Sequence, residues 1–572
     1  MRHRLWTGLS VGIVVALLSP DDHSPTAASA SNGQVVAPGQ VTPIGPPRDA
    51  RGEPQTGTAK VTGRVVAAEG GGPLRRVLVR AWGDTLREGK TALTDAEGRY
   101  EIAELPAGRF SLAASKGSYV DIQYGQRSPF DQGRPVTLRT GEVLERVDFV
   151  LPRGSVVTGR LVDEFGDPMA DAMVQVQRRR YVGGRYRLVP AGRIGTTNDI
   201  GQYRVFGLPP GEYYVSATVR PGMFLGAMPA DTPSGYAPTY YPGTPNLHEA
   251  ARVRVGLGEE VVADFQLLPV PTVRLSGTVL DSAGRPLALG IVRLTPRGDD
   301  VALSSVGMMG GRVSQGSFTM AGVTPGEYHV IAQAVDGPGG GVRELAVLPV
   351  SVGTAPLDGL LLTLGPGATL KGEVVLDGDA SLQPNEVRIV AQMTEMTMGM
   401  APATVNDDWT FELKGLHGHV EQIVAAQVAP GWTIASVVYG GIDVTDAGFE
   451  VRGNDPSASL RVTLTQSAAT LSGTVADARG GVLHDYTVVV FADDEDKWRL
   501  RSGRYVRSAR PDQEGTFRVA GLPEGRYLVL ATEHPVEDWQ DPAVLESLRD
   551  ASTPLSLGKG EQRVVSIRLA DR

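Results

Sequence analysis

The chain has no cysteine. That excludes disulfides, thiolate metal sites and a lipid-modified cysteine behind a leader. Small exported domains often depend on disulfides, but a chain of 572 residues can bury several cores without them. Histidine is scarce, eight residues in all, and scattered, so no nucleophile and base are brought together by the sequence. Positive charge is also in deficit: 55 Lys and Arg stand against 64 Asp and Glu, a net charge of −9. Nucleic-acid binders present a basic face, so no nucleic-acid partner is expected. The one basic run, Arg178-Arg179-Arg180, reads as a solvated strand end. Apolar runs long enough to span a bilayer are missing, so the mature chain is expected to hold no transmembrane span.

Glycine and proline are what the chain has in plenty, 72 and 40 residues. With an ordinary hydrophobic fraction of 41%, they point to many short strands joined by turns. Arg2 and Arg4, the apolar run "TGLSVGIVVALLS" and the small residues Ala28-Ser29-Ala30 have the order of a secretory signal peptide. We therefore expect a signal peptide at 1–30, an exported protein, and a flexible Pro- and Gly-rich lead-in at 31–57. An uncleaved N-terminal anchor is the alternative reading of the first segment.

A glycine-centred strand recurs: "VTGRVV" at Gly63, "VTGRLV" at Gly159, "LSGTVL" at Gly277, "LKGEVV" at Gly372 and "LSGTVA" at Gly473, at intervals of 95–118 residues. That period is too long for a solenoid, whose repeats run to about 20–50 residues, and long enough for each repeat to bury its own core. Downstream comes a second mark, "TDAEGRYEIAELPAGRF" from Thr94, echoed from Thr197, Ser314 and Pro511. Asp or Asn and Gly make a first tight turn, an alternating strand follows, and Pro and Gly make a second turn. The aromatics after that turn (Phe110, Tyr213, Tyr328 and Tyr527) are expected in the core or at a corner. Each repeat closes with a pair of alternating runs such as "RPVTLRTGEVLERVDFVL", which read as a hairpin. The expected fold is all-β: five tandem seven-stranded immunoglobulin-like or transthyretin-like β-sandwich domains at 58–152, 153–269, 270–366, 367–467 and 468–572.

These motifs resemble the carboxypeptidase regulatory-like domain, a transthyretin-like sandwich also similar to starch-binding-like and collagen-adhesin B-type modules. The resemblance runs over about residues 58–572, strongest in the first, second and fifth repeats. In metallocarboxypeptidases this domain is a non-catalytic companion of the zinc peptidase, so the resemblance implies a fold, not a reaction.

Candidate chemistry is thin. His534 and Glu537 have a zinc-peptidase spacing, but no histidine follows and Pro535 interrupts them. His417 and His419 would supply two ligands where a site needs at least three. "GLSVG" at Gly8–Gly12 lies in the leader and lacks the setting of a hydrolase elbow. The acidic groups Asp493–Asp496 and Asp443 with Asp446 match no calcium loop and read as solvated loops. Lys60 has no clear partners for an isopeptide bond. No catalytic residue, metal or cofactor is expected. The second repeat is longer than the rest by an insertion at 220–248 rich in Pro and Gly. Its Tyr236, Tyr240 and Tyr241, with Trp432 and Trp498, are the candidate ligand-binding side chains, and Trp539 is a further aromatic to place. Expected partners are a carbohydrate or an envelope protein. The expected function is a non-catalytic exported binding protein, with a structural or adhesive spacer, or a scaffold for a separate secreted hydrolase, as alternatives.

Overall fold

The computed structural model describes residues 57–570 except 84, 87–88, 127–131, 220–233, 298–308, 335–343, 379–381, 394–401, 430, 452–458 and 478. The expected signal peptide at 1–30 and the lead-in at 31–57, apart from Gly57, lie outside the described residues. So does the first half of the tyrosine insertion.

The chain is all-β, built of sandwiches in tandem. Five large buried clusters follow one another along it, within 59–151, 157–267, 273–364, 368–464 and 469–567. Among the described residues, strand pairing stays within one repeat except at two borders: Ser234–Tyr236 pairs with Pro269–Pro271, which straddles the second and third repeats, and Tyr119 bridges Arg153 between the first and second. In the first repeat the glycine strand Ala59–Ala67 pairs antiparallel with Arg99–Leu105. The facing sheet runs Lys90–Leu93, Leu78–Gly83, Gly108–Ser115 and Ile122–Gln123, with Val136–Leu138 added to Gly108–Ser115. Alternation does the sorting: Tyr100 and Ile102 are buried while Arg99 and Glu101 are exposed.

The recurrent turn residues act as their types suggest. Asp95 Oδ1 accepts from the backbone N–H of Glu97 (3.0 Å) and Arg99 (2.7 Å), and Gly98 sits at φ +77°. Asn198 and Asp512 make the same pair of bonds in the second and fifth repeats. A second aspartate turn follows the glycine strands at Asp163, Asp281 and Asp477. Phe110, Tyr213, Tyr328 and Tyr527 are all buried. The Tyr213 and Tyr527 hydroxyls donate back to the Pro209 and Pro523 carbonyls, four residues upstream. These are corner residues that fix the second turn.

The closing pair of runs is not a hairpin. In the first repeat Val136–Leu138 joins Gly108–Ser115 in one sheet, whereas Phe149–Leu151 joins the glycine strand in the other, in parallel. Thr553–Leu557 and Gln562–Arg568 separate in the same way in the fifth repeat. A hairpin would leave both runs in one sheet. Parting them places an apolar edge on each layer and closes both over the core. Strand number also differs from seven: among its described residues the first repeat has nine strands, several very short. In the third, Met309–Ser314 pairs with both Leu289–Pro296 and Ser317–Val323, so its layers run on as one seven-stranded sheet.

Candidate functional site

The fourth and fifth repeats meet along a seam, and a cavity of about 200 Å³ lies in it. Strand His419–Gln427 supplies Gln422 to its wall, and the start of strand Thr433–Tyr439 supplies Thr433. Trp432 stands just before that strand, placed by a turn in which its backbone N–H donates to the Ala429 carbonyl at 3.2 Å. From the fifth repeat come Ser502 and Arg504, in the loop after the short 3-10 helix Glu495–Arg499, and Arg507 on strand Val506–Ala509. Arg507 faces Val490 across its ladder.

Ion pairing across the seam sets the geometry. Arg504 Nη2 donates to Asp446 at 2.6 Å and its Nη1 to the Ala435 carbonyl at 3.0 Å. Ser502 Oγ donates to the other oxygen of Asp446 at 2.6 Å. Burial works against the Arg504 charge, but Asp446 outweighs it and holds the guanidinium above the usual arginine value. Nearby, Arg185, Arg187 and Arg501 converge on the half-buried Glu421, with Arg501 closest at 2.5 Å.

The sequence candidates are not brought together. Trp432 lies on the cavity wall, only 7% exposed, and its indole N–H has no partner among the described residues. Trp498 is core: its indole N–H donates to the Ala492 carbonyl at 2.6 Å, and its ring meets Phe491 edge-on. Trp539 is half-buried against the same core. The three tyrosines are each half-buried in the second repeat. Tyr236 donates to Glu164 at 2.8 Å, Tyr241 meets Phe265 edge-on, and Tyr240 packs on Leu188 and Tyr214. Burial and the Glu164 hydrogen bond push the Tyr236 hydroxyl up to about 12.

Several polar groups expected to be solvated are used for contacts. Arg178 reaches Glu537 at 2.9 Å, Arg180 reaches Asp538 at 3.0 Å, and Arg179 lies over the Tyr186 ring. Tyr186 itself donates to Asp541 at 2.7 Å. The arginine run is thus not a solvated strand end but a latch between the second and fifth repeats. The acidic clusters divide: Asp443, Asp494, Glu495 and Asp496 are exposed, whereas Asp493 and Asp446 are drawn into ion pairs. Asp493 takes Arg526 and Arg549, Asp494 caps the 3-10 helix, and Asp446 is paired as described. Lys60 pairs with Glu101 at 3.1 Å, and His419 with Glu450 at 3.4 Å. Burial holds His417 below the usual imidazole value. Among the described residues, no three His, Asp or Glu side chains are grouped as a metal ion requires.

Sequence reasoning passed over the stretch "RLRSGRYVRSAR", in which Arg499, Arg501, Arg504, Arg507 and Arg510 recur within twelve residues of an acidic chain. That density was the available signal. Four of the five reach the seam or a neighbouring repeat. Arg501, Arg504 and Arg507 do so as above, and Arg510 is buried, pairing with Asp485 and donating to the Gly125 and Gln132 carbonyls of the first repeat.

Residues 60–152 match the carboxypeptidase regulatory-like domain family. No curated protein matches the chain. Among solved structures, the chain is similar to the Bacillus anthracis TIE protein at 13% identity, covering 68% of this chain and 67% of that one, with a TM-score of 0.14. It is similar to the minor pilin of Streptococcus agalactiae at 13% identity, covering 37% and 97%, with a TM-score of 0.22. It is also similar to two B repeat units of the collagen-binding protein of Staphylococcus aureus at 12% identity, covering 71% and 99%, with a TM-score of 0.13.

Proposed function

We propose that the chain is a non-catalytic exported protein whose sandwiches form a scaffold for binding carbohydrate at the cavity beside Trp432. The observation that carries this reading is the Trp432 indole on the cavity wall with its N–H unspent, among Gln422, Thr433, Thr445 and Ser502. A sugar ring offers an apolar face and a rim of hydroxyls. An aromatic wall and a few polar groups suit both. The non-catalytic part rests on how the recurrent polar residues are used: the motif's Asp and Asn side chains accept backbone N–H groups in turns. Export rests on the leader-like order of residues 1–30.

The second reading is a structural or adhesive scaffold, alone or for a separate secreted hydrolase. Contacts of the fifth repeat with the first, second and fourth favour it, because they fix the placing of several sandwiches at once. A glycan array followed by calorimetry on the exported chain tests the first reading. Trp432→Ala is expected to weaken binding at least tenfold, while Trp498→Phe leaves it unchanged. A folded chain that binds no glycan would reject it and leave the scaffold reading.

A further inference from the structure

The cavity beside Trp432 offers hydrogen-bond donors and positive charge in excess. Among the described residues that line it, Arg504 and Arg507 are the only charged ones, and none is a carboxylate. Arg504 is balanced by Asp446, yet its Nε is buried without a hydrogen-bond partner. Arg507 has no carboxylate partner among the described residues. Its Nη1 donates to the Gly503 carbonyl at 2.6 Å and, more weakly, to the Val506 carbonyl at 3.4 Å. The ionisable groups that act on it are Tyr527 and Arg504, neither of them an anion, and the Tyr527 hydroxyl is held neutral by burial. Burial accordingly depresses the Arg507 guanidinium below its usual value. Arg507 is half-buried, and even a partly desolvated cation is normally paired, because desolvating an uncompensated charge is costly. The cavity therefore holds about one unmatched positive charge beside an unspent indole N–H.

We propose that this cavity binds the carboxylate of an acidic sugar, with Arg507 as its counter-ion and Trp432 against the ring. The proposal rests on the carbohydrate reading above and adds the charge of the ligand. A guanidinium presents parallel N–H donors that match the two oxygens of a carboxylate. A single unmatched cation fits a monoanion better than a doubly charged phosphate, which would leave one negative charge unpaired. The apolar part of the wall, Ile423, Val424 and Val428, suits a ring and not a free inorganic ion.

The test is calorimetry on the full chain with uronic-acid oligosaccharides, their neutral counterparts of the same linkage, and acetate as the bare carboxylate. Variants are Arg507→Gln and the charge-keeping Arg507→Lys, each checked for an unchanged thermal transition. The expected result is binding of the acidic saccharide about tenfold or more tighter than the neutral one, as one charge-assisted contact implies. Arg507→Gln should abolish that preference, Arg507→Lys should restore part of it, and added salt should weaken it. Equal binding of acidic and neutral saccharides, lost only with Trp432→Ala, would overturn the inference and leave the carbohydrate reading standing. Arg507-dependent binding of acetate as tight as that of the acidic saccharide would overturn the sugar and keep the anion. No binding of any of the three would overturn both. If Arg507→Gln fails to fold, the comparison of the three ligands and Arg507→Lys still decides.

Discussion

A hydrogen atom is all that the side-chain position of Gly63 can hold. A Cβ there would overlap the Val147 carbonyl oxygen, brought close as the chain returns alongside the glycine strand. The same crowding meets Gly159 at the Ala263 carbonyl, Gly277 at Leu360 and Gly473 at Val565. At Gly372 the Phe411 ring is the nearer obstacle. In every repeat the glycine is the cross-strand partner of an aromatic: Tyr100, Tyr203, Phe318, Phe411 or Phe517. In the first two, that tyrosine hydroxyl donates to the very carbonyl for which the glycine makes room, at 2.7 Å to Val147 and 2.5 Å to Ala263. The glycine admits the strand, and the tyrosine satisfies it. Gly63→Ala should cost about 1–3 kcal/mol by forced displacement of backbone. Hydrogen exchange should then accelerate across 59–67 and 99–105 while 469–476 keeps its protection. Unchanged exchange in the first repeat would show that the strand can shift to make room.

At the scale of elements, the hairpin made by Met173–Val182 and Arg185–Thr196 does what its alternation alone does not announce. It extends beyond its own sandwich, and its tip carries Arg178, Arg180, Arg185, Tyr186 and Arg187 to acceptors in the fourth and fifth repeats. The arginines are half-buried, so the pairs with Asp538 and Glu421 contribute more than an exposed pair, while that with the exposed Glu537 stays screened. Arg178→Ala with Arg180→Ala should loosen the latch without unfolding a core. Hydrogen exchange should rise in the hairpin and around 537–541, and the main thermal transition should move little. A large fall in that transition would mean that the latch supports the core of the fifth repeat. This element was half legible. The alternation gave the strands, but three adjacent arginines read as solvated because the acceptors of Arg178 and Arg180 lie some 360 residues away in sequence.

Across the whole molecule, buried tyrosines and the arginines of the fifth repeat carry the long-range order. Tyr100, Tyr203, Tyr213, Tyr486 and Tyr527 all have hydroxyls pushed above the usual phenol range by burial first. Tyr186, at the junction of the second and fifth repeats, is pushed up to about 12 by burial and by its bond to Asp541. A group whose folded pKa is raised binds its proton more tightly in the folded state. Its stabilising contribution is complete below the unfolded value of about 10 and is lost as pH climbs through the folded one. The melting temperature should therefore hold up to about pH 10 and fall steeply from there through 12. The phenolate absorbance of these six tyrosines should appear with unfolding and not before it. Titration of all 16 tyrosines of the chain before unfolding would contradict the burial of these hydroxyls.

The sequence by itself determined what depends on near neighbours. Asp95 with Gly98, and Pro106 with Gly108, act through local backbone geometry, which one stretch of chain encodes completely. The all-β architecture and its repetition followed from them. Tertiary structure alone decided which sheet each closing run enters, because both runs alternate alike and only closure over a core separates them. It also decided the fate of Trp432 and Trp498. The two are the same residue in the sequence, yet a carbonyl at Ala492 takes the indole N–H of one, and a seam between repeats leaves that of the other unspent. Likewise, whether an arginine is solvated, latched or left without a counter-ion depends on Coulomb partners brought in from distant repeats, a sum over space that no local pattern contains.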